Sequence, residues 1–391
     1  MKIVYVLPVS WGGIVHYTAE LANAMAKIED VVVIKAQDEN DNLFSSDVQV
    51  YNLFKPFNFD RTSSRSLVSL LSYKNMRALL SYKKLRCIKS VNPDIVHFTI
   101  PSPQVSFFSH LYKLDKNYNI VCTVHGVFRS LRDAQFNNFN LSMGFIDSLN
   151  EVANRFVKFR ELIVHTEDNK KGLIAKGIIE DQIAIIPHGS FSLFNRLNDD
   201  NPDESTDYRS EEVILFFGYI LNNKGVDVLI KSIPHINREI PNLKVVIAGE
   251  GDLSEYRKNI VDESKFEIHN EYIPNEMVGS LFQRAKVVVL PYIRHQGHSG
   301  VVNVAFAFGK PVVATNLGDF PNLVQDGKEG LIIPPEDEIA LANGVIRILR
   351  NEDLRQSMSQ NALKKARQHS WNRIAERHVT VYEKVIERQR E

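Results

Sequence analysis

The sequence predicts an α/β protein built from two doubly wound, Rossmann-like domains. Short apolar runs alternate with stretches of helical spacing along most of the chain. That alternation means parallel sheets covered by helices. It stops once, in the polar and acidic stretch "RLNDDNPDESTDYRSEE" from Arg196 to Glu212, and then restarts. A chain of 391 residues also suits two domains that each bury a core.

Taken in order, the first half gives strands at Ile3–Leu7, Val31–Ile34, Ile95–Phe98, Ile120–Val124, Leu162–Val164 and Ile183–Ile186. A helix is expected over Val15–Ala26, and helical stretches lie between most of the strands. After the break, strands are expected at Val213–Phe217, Leu243–Ala248, Val287–Leu290, Val312–Ala314 and Gly330–Ile333. Helices are expected near Val226–Ile240 and Leu253–Glu263, and from Ile339 to the end. Gly309 ends a small-residue helix that Pro311 cannot continue. The resulting division is 1–195 for the first domain, 196–212 for a linker, 213–370 for the second domain and 371–391 for a last helix. The two domains are expected to face one another across a cleft. In such sheets ligands bind beyond the carboxyl ends of the strands.

Composition excludes several classes. Lys plus Arg equals Asp plus Glu at 47 each, so no bulk charge argues for nucleic acid. Cys87 and Cys122 are the only cysteines. They make neither a disulfide framework nor a zinc site, and they fit a reducing cytoplasm. No run approaches the roughly 18 apolar residues of a membrane span. The start, "MKIVYVLPVSWGG", lacks the layout of a signal peptide. One segment is unbalanced. Lys55–Lys89 holds nine Lys or Arg and one acid, Asp60, with leucines interleaved. Two meanings stay open: a solvated face with basic stems over apolar surface, or a patch for an anionic membrane or acceptor.

The candidate site residues follow the expected strands. Gly12 and Gly13 turn a strand into a helix, where free N–H groups favour a phosphate. His125 in "CTVHGVF" follows a buried strand. Gly218 and Tyr219 follow another, and Lys224-Gly225 opens the next helix. A lysine there opposes the helix dipole, and the sequence offers no packing reason for it. Facing a diphosphate, it would be stabilising. Gly249 and Gly251 end the strand of "VIAGEGDL". The loop "YIRHQGHSG" carries Arg294, His295, Gln296, His298 and Ser299 ahead of Gly300, Val301 and Asn303. His295 and His298 have no third ligand at zinc spacing, so no metal is expected. The nearest Asp-x-Asp pattern, at Asp38, is read as a loop.

In order, Gly12-Gly13, "VHG", "IPHG" at Ile186–Gly189, "FFGYI…NKG", "VIAGEGD", "EYIPNEM" with Ile273, "VVVLPY", "AFAFGKPVVAT" and "SW" at Ser370 resemble the retaining GT-B glycosyltransferases of family 4, the group 1 class. The resemblance spans nearly the whole chain. It implies a nucleotide-diphosphate sugar, with UDP or GDP as the leaving group, held mostly by the second domain. It implies an acceptor held mostly by the first domain, retention of configuration, and no metal or other cofactor; the basic Lys55–Lys89 segment points to a glycan or lipid-linked acceptor. The resemblance also implies that the helix after Trp371 returns to the first domain.

Two departures stand out. Gly218-Tyr219 replaces a Gly-Arg. The family's two glutamates ahead of "GKP" are Gln296 and Val304 here, as in a subset of such enzymes. On this resemblance His125 and Lys224 are the catalytic candidates, His125 toward the donor sugar and Lys224 toward the diphosphate. Gly12, Gly13, Gly218, Tyr219, Lys224, Gly249, Ile273, Gln296, His298, Ser299, Gly300, Val301 and Asn303 are the donor-binding candidates. The expected function is sugar transfer in polysaccharide or glycolipid assembly, by a cytoplasmic protein that meets the membrane peripherally. The alternatives are a catalytically inactive binding protein of the same fold and a sugar-nucleotide epimerase.

Overall fold

The computed structural model describes residues 1–10, 12–37, 41–56, 73–126, 158–191, 193–194, 211–294 and 299–390. Most of the expected linker, 196–210, lies outside them, as do Asp38, His295, Gln296 and His298. The chain divides into two compact units, Met1–Pro187 with Trp371–Glu391, and His188–Ser370.

The first unit is a parallel sheet of β1 (Lys2–Leu7), β2 (Asp30–Ala36), β3 (Gln49–Phe54), β4 (Ile95–Phe98), β5 (Asn119–Val124), β6 (Glu161–Val164) and β7 (Ile183–Ile185). The order is β3-β2-β1-β4-β5-β6-β7. Alternate residues serve opposite faces. Val4 and Val6 join one apolar cluster; Ile3 and Tyr5 join another. The second cluster is closed by α1 (Gly13–Met25) and the last helix, Trp371–Arg390. That helix contributes Trp371, Ile374, Ala375, Tyr382 and Val385 to the core. Its Tyr382 hydroxyl lies 2.5 Å from His97 Nδ1 and 3.3 Å from the Tyr5 hydroxyl. Arg388 reaches the buried Glu161 carboxylate at 3.0 Å. Further along the first unit come α2 (Tyr73–Ser81), α3 (Pro103–Leu111) and α4 (Glu167–Ala175).

The second unit repeats the plan. Its strands are β8 (Glu212–Phe217), β9 (Leu243–Ala248), β10 (Phe266–His269), β11 (Val287–Leu290), β12 (Val312–Thr315) and β13 (Gly330–Ile333). They are parallel, in the order β10-β9-β8-β11-β12-β13. Covering helices include α5 (Val226–Glu239), α6 (Asn275–Arg284), α7 (Gly300–Ala307), α8 (Glu338–Arg350) and α9 (Glu352–Gln368). The Trp371–Arg390 helix is then α10. Among the described residues no helix is long and apolar enough to cross a membrane.

Two differences from the sequence have physical causes. β3 and β10 were not expected. Both are edge strands, β3 half-exposed along most of its length and β10 along all of it, so neither carries a continuous apolar run. The helix expected over Leu253–Glu263 is a single turn, Ser254–Arg257, followed by a 3₁₀ turn at Glu263–Lys265.

Candidate functional site

Strand order reverses between β1 and β4 in the first unit, and between β8 and β11 in the second. Ligands of doubly wound sheets bind at such switch points, outside the carboxyl ends. The described candidate residues all follow carboxyl ends. Gly12 and Gly13 follow β1, His125 follows β5, Gly218 and Tyr219 follow β8, Gly249 follows β9, Ile273 follows β10, and Ser299 to Asn303 follow β11.

In the second unit these loops are packed together. Gly249 has φ +154°, and a Cβ on it would lie 1.9 Å from Gly218 O. The two loops therefore touch backbone to backbone. A Cβ at Gly218 would come within 3.9 Å of the Val301 side chain. Lys224 sits in a 3₁₀ turn, Asn222–Lys224, and Gly225 caps α5 with φ +68°. A Cβ on Gly225 would lie 1.8 Å from Pro291 O. Ile293 N–H donates to Asn223 O at 3.0 Å, which fixes the turn to the loop after β11. Lys224 Nζ rests 3.7 Å from the centre of the Tyr292 ring. This corrects the expectation that packing gives Lys224 no role, because a cation over an aromatic face is attractive. Lys224 is half-buried and makes no ion pair with the described residues.

The helix α7 starts at Gly300 with Ser299 as its cap, and the Ser299 side chain makes no capping hydrogen bond. Its first N–H groups thus lack that partner. Ser299 and Asn303 are buried, as is Ile273. Val304, where the resemblance leads one to expect a glutamate, belongs to the apolar core. Gln296 and His298 lie outside the described residues.

In the first unit, a Cβ at Gly12 or Gly13 would meet no described atom within 4 Å, so the turn after β1 is open to approach. His125 is half-buried. Its Nε2–H donates to Thr99 O at 2.9 Å. Its Nδ1 lies 3.0 Å from His165 Nε2. Both ring nitrogens of His125 therefore have partners within the unit. His165 Nδ1–H donates to Ile186 O at 2.9 Å. Tyr17 of α1 stands edge-on to His125, centroids 4.6 Å apart, and packs on Trp371 at 5.2 Å. Burial lowers His125 to about 3, with the neighbouring His165 as the second cause, and lowers His165 to about 4.

His165 and Tyr17 were not singled out from the sequence. A signal for His165 was there. "VHG" and "VHT" end β5 and β6 with the same Val-His pair, and Val124 pairs with Val164 in register. The following histidines are thus neighbours. Among the described residues no three of His, Cys, Asp or Glu are placed to hold a metal ion.

Two parallel, doubly wound sheets with glycine-lined loops at their carboxyl ends place the protein among the α/β proteins that bind ligands at those ends. Residues 198–365 match the family "Glycosyl transferases group 1", and residues 11–190 match "Glycosyltransferase Family 4". The chain belongs to this family of group 1, GT-B glycosyltransferases. An uncharacterized glycosyltransferase of Methanocaldococcus jannaschii is 30% identical over 181 residues, 45% of this chain and 46% of the relative. A phosphatidyl-myo-inositol mannosyltransferase of Mycobacterium leprae is 28% identical over 181 residues, 45% of this chain and 48% of the relative. The chain spans about half the length of these curated relatives. Anabaena HepE, solved with UDP-glucose, is similar in fold, with a TM-score of 0.70 and 16% identity over 98% of this chain and 100% of that one.

Proposed function

We propose that the protein transfers a sugar, with retention, from a UDP- or GDP-sugar to a glycan or lipid-linked acceptor, without a metal or other cofactor. The observation that carries this is the arrangement at the β8/β11 switch point. Lys224, without an ion-pair partner among the described residues, and the start of α7 lie on loops packed against one another. Negative charge builds on the leaving diphosphate as the sugar departs. A fixed cation and helix N–H groups stabilise that charge. The UDP-glucose in HepE supports a nucleotide-sugar donor.

In the family's front-face course, the leaving phosphate takes the acceptor's proton, so no carboxylate pair is needed. Because both ring nitrogens of His125 already have partners, its contact with the donor falls to the ring edge and backbone. The lipid-linked acceptor is supported by the mannosyltransferase relative, whose name carries a phosphatidylinositol.

The basic segment supports a peripheral contact with anionic membrane. Residues 57–72 of it lie outside the described residues. In the remainder, Lys74, Lys83, Lys84, Arg86 and Lys89 are exposed and make no ion pair with described residues. Met76 and Leu80 of α2 are 41% and 47% exposed beside them.

One observation favours the rival, an inactive binding protein: Val304 lies in the core, where the family has a glutamate. A thermal-shift screen of nucleotide sugars, followed by a transfer assay with the best binder, tests both readings. A selective donor at about 100 times its Kd adds roughly 2.7 kcal/mol of stability. Binding without transfer supports the rival. No stabilisation by any nucleotide sugar contradicts both.

A further inference from the structure

The pair His125 and His165 needs more ring protons than two neutral imidazoles supply. A carbonyl oxygen only accepts. Thr99 O therefore fixes a proton on His125 Nε2, and Ile186 O fixes one on His165 Nδ1, each at 2.9 Å. A neutral imidazole has one ring proton, so two neutral rings would have used both. His125 Nδ1 and His165 Nε2 would then face one another at 3.0 Å, lone pair against lone pair. That separation is a hydrogen-bond distance. A third proton makes it one.

We propose that His165 is a positioning residue that shares one proton with His125, so that the two rings form a single monocation holding His125 at the end of β5. The catalytic meaning rests on the proposed function, because His125 is the residue given to the donor sugar. The proton count does not rest on it.

The surroundings set two opposing effects. Burial disfavours a charge on either ring. Against that, a carbonyl dipole meets each outer end of the pair, and hydrogen bonds from a charged donor are the stronger kind. His125 is half-buried and His165 is buried. Among the described residues, polar and titratable groups near the pair include ones on α1, β4, β5 and α10. From α1, Tyr17 stands at 4.6 Å from His125 and 5.6 Å from His165, and burial raises its hydroxyl pKa, so it stays neutral. Glu20, also on α1, is a buried carboxylate one turn from Tyr17. From β4 comes His97 and from α10 His378, each lowered first by burial and therefore neutral near pH 7. From β5, Thr123 is uncharged and faces His97 Nε2 at 2.7 Å. A charge on His97 or His378 would repel the pair; neither carries one.

The test is histidine ring ¹⁵N NMR on the full chain, without donor or acceptor, with rings assigned by His125→Gln and His165→Gln. The expected result at about pH 6, near the ordinary histidine value, is three ring protons on the pair, against the two that burial acting on each ring separately would leave there. They fall to two in one step as pH rises. Two ring protons at about pH 6, with both rings fixed as neutral tautomers, overturn the proposal. This readout needs no activity, so it stands if sugar transfer fails.

A second arm reads the positioning. His165→Gln keeps an N–H for His125 Nδ1 without the charge, and His165→Leu keeps neither. The expected result is a Gln variant with kcat near the parent and a flattened alkaline limb, and a Leu variant whose kcat falls on the order of tenfold to a hundredfold. Equal losses in both, or an unchanged pH profile in the Gln variant, overturn it.

Discussion

Tyr382→Phe removes one oxygen from the core of the first unit and keeps the ring. That hydroxyl has two partners, His97 Nδ1 at 2.5 Å and the Tyr5 hydroxyl at 3.3 Å. All three side chains are fully buried, so water does not readily replace the lost contact. The phenyl ring still fills the space, centroid 5.8 Å from the His97 ring, so the cavity is one oxygen in size. The loss is thus two orphaned polar groups. Each costs about 1–3 kcal/mol, which gives roughly 2–4 kcal/mol for the pair once the weaker 3.3 Å contact is given the low end. At about 2–4 °C per kcal/mol for a unit of this size, the first unit should melt roughly 4–16 °C earlier. Scanning calorimetry reads this directly, with the exposed Tyr51→Phe as a control expected within about 0.5 kcal/mol. If Tyr382→Phe also falls within about 0.5 kcal/mol, the hydroxyl does not tie α10 to the sheet.

The remaining expectations concern pH, backbone and membrane. His97 and His378 are buried, and their folded-state pKa values are depressed, to about 4 for His378. Between that value and the ordinary 6.5 the unfolded chain binds more protons, so stability is full above about pH 6.5 and falls as the medium acidifies. Two such groups give a slope of about 2.7 kcal/mol per pH unit; a midpoint for the first unit that is unchanged between pH 7.5 and 5 would contradict this. Gly225→Ala puts a Cβ 1.8 Å from Pro291 O at φ +68° and should cost more than about 2 kcal/mol in denaturant unfolding; a loss under about 0.5 kcal/mol would mean that the turn is not seated on that loop. Changing Lys83, Lys84 and Arg86 to Glu should remove binding to anionic vesicles, since each basic residue near the surface contributes about 1 kcal/mol and salt screens it. Equal sedimentation of the parent with neutral and anionic vesicles would refute the membrane contact.

The interior strands were legible because they are buried on both faces. Ile95–Phe98, Leu243–Ala248 and Val287–Leu290 are observed at the expected residues, as is the edge strand Gly330–Ile333, which is still largely buried. Their apolar runs follow from parallel sheets covered by helices. The edges β3 and β10 were not legible, because one-sided or partial burial lets Gln49, Asn52, Glu267 and His269 interrupt the run. Strand ends were legible as places where glycines, Lys224 and His125 gather. What those side chains touch was not. The Tyr292 ring under Lys224 lies 68 residues away in sequence, and His165 lies 40 from His125. Contacts of that separation are set by strand order, and a single sequence does not print strand order. The role of Tyr382 was hidden for the same reason. Its partners His97 and Tyr5 are near the other end of the chain.

The most direct test of sugar-nucleotide chemistry at the β8/β11 switch point is the initial rate of labelled-sugar transfer by the parent and by Lys224→Ala. The thermal midpoint of each is recorded alongside, with and without UDP or GDP. On the proposed function, loss of the lysine removes a cation facing the diphosphate, worth roughly 3–4 kcal/mol of barrier, or a hundredfold or more in rate. Its contact with Tyr292 contributes on the order of 1 kcal/mol to folding, so the empty variant should melt only slightly earlier and gain less from the nucleotide. The expected result is that rate loss in a protein that still folds. Near-normal transfer by Lys224→Ala would contradict the placement of the diphosphate at this turn. An unfolded variant would show instead that Lys224 serves the fold through Tyr292.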